Sequence, residues 1–257
     1  MRRLSRDTDG LRGPMYAAAG VGVLNFLIIM LFMPESLPPS QRRGKSLDWK
    51  EANPLGALRL LFARTPLLRG ACAAFFLLFL GNACINSIFG NYVNHLFGWG
   101  PQESAPLLVL VGLMIAIAPA TLVPRLGLKR SIEVGSVVYA LGLLATAFAN
   151  VPKWIVLSVL VSSVGCIAIP ALIAFISNQA APDERGALLG GVETLSELCL
   201  AIAHSTYGRT LALFISANAP MKLPGAPFIM ASVFILASLG VISHTFAAFP
   251  AEAARFL

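Results

Sequence analysis

The 257-residue chain is 57% hydrophobic and 12% charged, with a net charge of +7 at pH 7, and its mean hydropathy is +0.77. A water-soluble domain of this length needs far more polar surface, so that class is excluded. The positive charge is expected to sit in loops at a membrane surface, and nucleic acid is not expected as a partner.

Seven apolar segments follow along the chain, at residues 14–33, 70–90, 105–124, 131–149, 154–175, 187–208 and 226–248. Each approaches or reaches the about 20 residues that cross a hydrocarbon core. The expected fold class is all-α, a polytopic membrane helix bundle surrounded by lipid. The first segment follows Arg2, Arg3, Arg6 and Arg12, as a signal-anchor does. A cleaved signal peptide is not expected, because the apolar core is too long and "MPESLPPS" offers no small-x-small cleavage site.

Residues 34–69 form the long connection. "PESLPPSQRRGKSLDWKEANP" is rich in proline and charge and reads as a linker. In "PLGALRLLFAR", Leu55, Leu58 and Phe62 share one helical face, which fits either a short amphipathic helix at the membrane surface or a solvated linker. Of the 19 basic residues, 12 fall on the side of this loop and of the C-terminal tail, residues 249–257. That side is expected to be cytosolic. The four N-terminal arginines lie on the opposite side, an arrangement expected if the chain starts partway through a larger fold.

Polar groups inside the apolar segments are the candidate functional residues. Asn82 and Asn86 are one turn apart and share a face. They suit hydrogen bonding to a substrate or to a neighbouring helix. Ser158, Ser162 and Ser163 suit close helix packing, with Ser162 also a candidate on the substrate path. Pro170 removes a backbone donor and is a candidate hinge. Arg125, Lys129 and Arg130 lie in one loop, and Asp183, Glu184 and Arg185 in another. The two are candidates for gating ion pairs, although topology and helix-end electrostatics also explain them.

"LLGGVETLSELCLAIAHSTYG" is the most unusual segment, since it places Glu193, Glu197 and His204 in an apolar helix. At about 100° per residue Glu197 lies about 40° from Glu193, and His204 about 20° from Glu197, so the three share one face. An ionised group near the bilayer centre costs about 3 kcal/mol, whereas a leucine returns about 0.5 kcal/mol. This face is therefore expected to turn towards a cavity or a partner helix. Its residues are candidates for a proton pathway or for a structural pair. The four cysteines all fall in apolar runs without a C-x-x-C pair, and no phosphate loop, metal spacing or nucleophile–base arrangement occurs. Neither an enzyme nor a cofactor is expected.

Several stretches resemble a known family. "LNFLIIMLFMPESLPPSQRR" resembles the sixth helix and central loop of the major facilitator superfamily, in the branch of tetracycline-efflux and hippocampus-abundant-transcript-like transporters. "PRLGLKRSIEVG" resembles that family's loop between helices eight and nine. "PALIAFISNQAAPDERGALLGG" resembles helix ten, the following loop and the start of helix eleven. The resemblance implies that residues 1–33 hold a tail and a helix like helix six. It also implies that residues 70–248 are the six-helix C-terminal half of a transporter, and that helices seven and ten line its cavity. A small-molecule substrate and protons are the implied partners. The first half is then expected from a truncated gene's missing part, a separate polypeptide or a second copy. The resemblance weakens in the eleventh helix, where Glu197 and His204 stand. A seven-helix receptor and a non-transporting scaffold remain alternatives at this point, although D-R-Y and N-P-x-x-Y signatures are absent.

Overall fold

The computed structural model describes residues 2–34, 56, 61–62, 64–181, 184–216, 219 and 221–257. The chain divides into two compact units, Met1–Asp48 and Trp49–Leu257. Among its described residues the first contains one helix, α1 (Arg2–Phe32), whose part Met15–Phe32 is apolar enough to cross a membrane. The second contains α2 (Pro66–Phe97), α3 (Pro101–Leu126), α4 (Leu128–Phe148), α5 (Pro152–Gly165), α6 (Ala168–Asn178), α7 (Arg185–Ile215), α8 (Ala226–Ala248) and a short α9 (Pro250–Ala253). Together they give seven candidate membrane spans among the described residues, with α5 and α6 forming one broken span. All seven match the expected segments, and the protein is an integral, multi-pass membrane protein. Most of the linker and the amphipathic pattern at residues 55–62 lie outside the described residues, apart from helical Gly56, Leu61 and Phe62.

Local sequence sets the helix ends. Thr65 accepts a hydrogen bond from the Leu68 N–H (3.1 Å) with Pro66 next in line, a start signal for α2. Gly98 stops the helix at φ 69°, a left-handed conformation that glycine adopts without strain. Two residues later the Glu103 carboxylate accepts from the Gly100 N–H (2.8 Å) and α3 begins at Pro101. Gly127, at φ 76°, turns α3 directly into α4. Helices α2 and α7 have 32 and 31 residues, longer than their apolar cores, because their polar ends continue the helix beyond the hydrocarbon.

In lipid, apolar burial does not drive helices together, so small residues and interhelical hydrogen bonds hold the bundle. Helix α2 packs on α7 and α8, while α4 packs on α5, α6 and α8. At the α4–α5 crossing a Cβ on Gly165 would lie 2.3 Å from the Tyr139 backbone nitrogen. A Cβ on Gly142 would lie 2.5 Å from that of Ser162. Hydroxyls then stitch helix to helix. Tyr92 donates to the Thr146 carbonyl (2.8 Å), Tyr207 to Leu80 (2.9 Å), Ser232 to Ala140 (3.0 Å) and Ser238 to Ala74 (2.6 Å). Each such bond contributes about 0.6 kcal/mol. The four cysteines are buried thiols. The last residues are packed as well: Ala253 is buried, and the Asn178 amide donates to the Phe256 carbonyl (3.2 Å).

Candidate functional site

The expected hinge residue sits at a real interruption. Helix α5 ends at Gly165 and α6 starts at Ala168. Pro170 carries no N–H, and its ring would crowd the carbonyl four residues earlier, that of Cys166. The Ile169 N–H takes that carbonyl instead (3.0 Å), in the tighter three-residue pattern. The break therefore falls one turn before the proline.

This break opens on a cavity of ≈ 530 Å³ between α2, α3, α4, α5 and α6. Its wall includes Phe79, Asn82, Asn86 and Phe89 from α2, Leu108, Val111, Ile115 and Pro119 from α3, and Tyr139 from α4. Val159 and Ser163 come from α5, with Cys166, Ile169 and Pro170 at and after the break. The size and the mostly apolar wall with a few convergent polar groups are those of a small-molecule site. A second hollow of ≈ 510 Å³, beside Phe148 and Trp154, lies between α4 and α5 only, with Asn150 and Ser158 as its polar lining residues.

The structure brings Asn82, Asn86 and Pro170 together on one cavity, as their shared face and the broken helix suggest. Asn82 is half-buried and accepts a hydrogen bond at Oδ1 from the Tyr139 hydroxyl (2.7 Å). Ser162 is placed elsewhere. It is fully buried against Gly142 and donates to the Val159 carbonyl (2.8 Å), so its role is at the helix crossing. Its neighbour Ser163 lines the cavity. Sequence reasoning missed Tyr139 and Cys166. A lone tyrosine inside an apolar span was the available signal, because a buried phenol must find a polar partner.

Glu193, Glu197 and His204 do share a face of α7, and all three are exposed. A neighbouring stripe, with Val192, Leu195, Cys199, Ala203 and Tyr207, is buried against the bundle. The polar face is exposed beside that buried stripe, and none of its three residues lines the ≈ 530 Å³ cavity. The His204 Nδ1–H donates to the Leu200 carbonyl (2.7 Å), which leaves Nε2 available. Glu197 and His204 stand about 10 Å apart along the axis, and neither bonds to the other among the described residues.

At the loops, Glu184 pairs with Arg64, the residue that precedes the α2 cap. Asp183 lies outside the described residues. Arg125, Lys129 and Arg130 are exposed and make no ion pair with Glu184 among the described residues, contrary to the expected gate pairing. The reason is placement: α3 and α4 pack chiefly on α5, α6 and α8, whereas α2 runs beside α7. Arg185 is also exposed.

No family model matches the chain. It is similar to the human hippocampus abundant transcript-like protein 1, at 26% identity over 242 residues, 86% of this chain and 48% of that protein. It is also similar to the class G tetracycline resistance protein of Vibrio anguillarum, at 30% identity over 193 residues, 72% of this chain and 47% of that protein. Its fold matches the crystal structure of the human organic anion transporter MFSD10 (TETRAN) with a TM-score of 0.67 at 19% identity, over 86% of this chain and 54% of that one. The chain thus spans about half the length of the curated relatives it matches. In sequence the chain is thus similar to both the hippocampus abundant transcript and the tetracycline resistance proteins, and in fold it is similar to a solved major facilitator transporter.

Proposed function

We propose that the chain provides one half of an alternating-access transporter for a small organic solute, with residues 70–248 as the working bundle. The observation that carries this reading is the ≈ 530 Å³ cavity at a broken span, lined by Asn82, Asn86 and Ser163. Transporter binding sites favour interrupted helices, because irregular backbone is tolerated where it lines a cavity. The other wall comes from a second bundle, either a separate half or another copy of this chain. The exposed carboxylates and imidazole of α7 support that arrangement, since lipid is a poor neighbour for them.

Exchange of the solute against protons is part of the proposal. Glu197 is the titrating group, Glu193 lies one turn nearer the loop, and the free Nε2 of His204 extends the path. Pro170 lets α6 tilt against α5 as the site changes sides. The Arg64–Glu184 pair ties the central loop to the start of α7.

The test is transport by purified chain in proteoliposomes, alone and with a polypeptide carrying the other half of the fold. A panel of organic solutes that includes tetracycline and an organic anion serves as probe. Saturable uptake with both halves, accelerated by an imposed proton gradient, is expected. Uptake by the chain alone would assign the second wall to another copy, and no uptake in either case would overturn the proposal.

A further inference from the structure

The cavity wall contains a hydrogen bond whose direction decides what the wall can recognise. Tyr139 is fully buried on α4 beside the Cys166 thiol, and its hydroxyl donates to Oδ1 of Asn82 on α2 at 2.7 Å. An amide held by its oxygen must present its NH2 group on the other side. Asn82 lines the cavity, and its Nδ2 makes no hydrogen bond to the described residues. The two N–H donors are thus the polar groups that Asn82 offers to a bound molecule. A freely rotating asparagine would offer donor or acceptor with equal ease.

The other polar groups of the wall are Asn86, on the same face one turn along, and Ser163. The Ser163 hydroxyl donates to the Val159 carbonyl (2.7 Å), so it offers lone pairs but no hydrogen. None of the lining residues is charged, and Phe79, Phe89 and Ile115 make the surrounding wall apolar. In such a setting an unpaired amide donor costs more than in water, and a ligand oxygen that satisfies it is favoured.

Resting on the proposed role of this cavity, we infer that Tyr139 is a positioning residue for substrate selection: by holding the Asn82 oxygen it turns the amide N–H groups to the cavity, so the Asn82 position favours apolar solutes that carry a hydrogen-bond-accepting oxygen, such as a carbonyl. Tyr139 itself acts through Asn82. The selectivity belongs to the direction of one bond, so it is lost when the phenol oxygen is removed even if the cavity keeps its shape.

The experiment compares two probes of nearly equal shape on the purified chain in detergent micelles. Benzophenone carries a carbonyl, and diphenylmethane lacks it. Binding of radiolabelled benzophenone is displaced by each, with correction for partition into protein-free micelles, and irradiated samples are mapped by peptide mass spectrometry. The expected result is photoadducts on cavity residues and an advantage of about fivefold for benzophenone, the worth of one neutral hydrogen bond. That advantage disappears in Tyr139→Phe and in Asn82→Leu, while the affinity for diphenylmethane stays within twofold in Tyr139→Phe. Cavity adducts with equal affinities in the unmodified chain, or an advantage that persists in Tyr139→Phe, would overturn the inference and leave the cavity reading standing. Absence of adducts in the cavity would overturn both. Equal affinities in the unmodified chain overturn the inference even where a variant fails to fold.

Discussion

Arg64 and Glu184, 120 residues apart in sequence, form an ion pair that joins the entry of α2 to the entry of α7. The pair is 28% and 40% exposed at its two side chains, so solvent screens it. Such pairs contribute up to about 1 kcal/mol. A double-mutant cycle with Arg64→Ala and Glu184→Ala, read by unfolding in mixed micelles, should give a coupling of about 0.5 kcal/mol that shrinks in high salt. A coupling that is zero at low salt would remove this contact from the account of the loop.

The α4–α5 crossing should be intolerant of side chains. Gly165 and Gly142 face backbone atoms at distances no Cβ can occupy. Gly165→Val and Gly142→Val are each expected to destabilise the purified chain by about 1–3 kcal/mol, the usual cost of overpacking. Gly190 has nothing within 4 Å of its Cβ position. Gly190→Ala should therefore be neutral or stabilise by up to about 1 kcal/mol, as alanine does in a helix. Equal effects at all three positions would show that the crossing is looser than described.

Topology gives a third expectation. With 12 of the 19 basic residues on its side, the 34–69 connection should face the cytosol together with the C-terminus. The structure is compatible with loops gathered at common ends, since Arg64 meets Glu184 and Asn178 meets Phe256. In intact cells an impermeant thiol reagent should label Pro101→Cys and spare Ser40→Cys. The reverse pattern would invert the orientation.

The α7 face separates stability from coupling. Glu197 is exposed and has no partner among the described residues, so Glu197→Gln should leave the unfolding free energy of the chain within about 0.5 kcal/mol, as for other surface changes. In a transport-competent assembly the same change should abolish proton-driven uptake while solute binding persists. Proton-driven uptake with an unchanged pH profile would remove Glu197 from the proton path. His204→Gln keeps a polar group without the titration and should slow uptake less than Glu197→Gln.

The sequence by itself determined the solvent and the count of spans. Lipid forces backbone groups to pair within helices, so a run such as 226–248 has only one stable conformation and its hydropathy announces it. Asn82 and Asn86 were legible as one face because helical periodicity is local, and Pro170 announced its own break because the missing N–H is a property of the residue. Only the tertiary structure decided which polar groups meet. Ser162 and Ser163 are adjacent in sequence, yet one is locked against Gly142 and the other lines the cavity, a difference set by where α4 crosses α5. Tyr139 found Asn82, and Glu184 found Arg64, through packing of helices distant in sequence. For Glu193, Glu197 and His204 helical periodicity settles which side chains share a face but not the direction of that face. Direction depends on which stripe of α7 the bundle buries, and Leu195, Cys199 and Tyr207 occupy that stripe because they fit against α2.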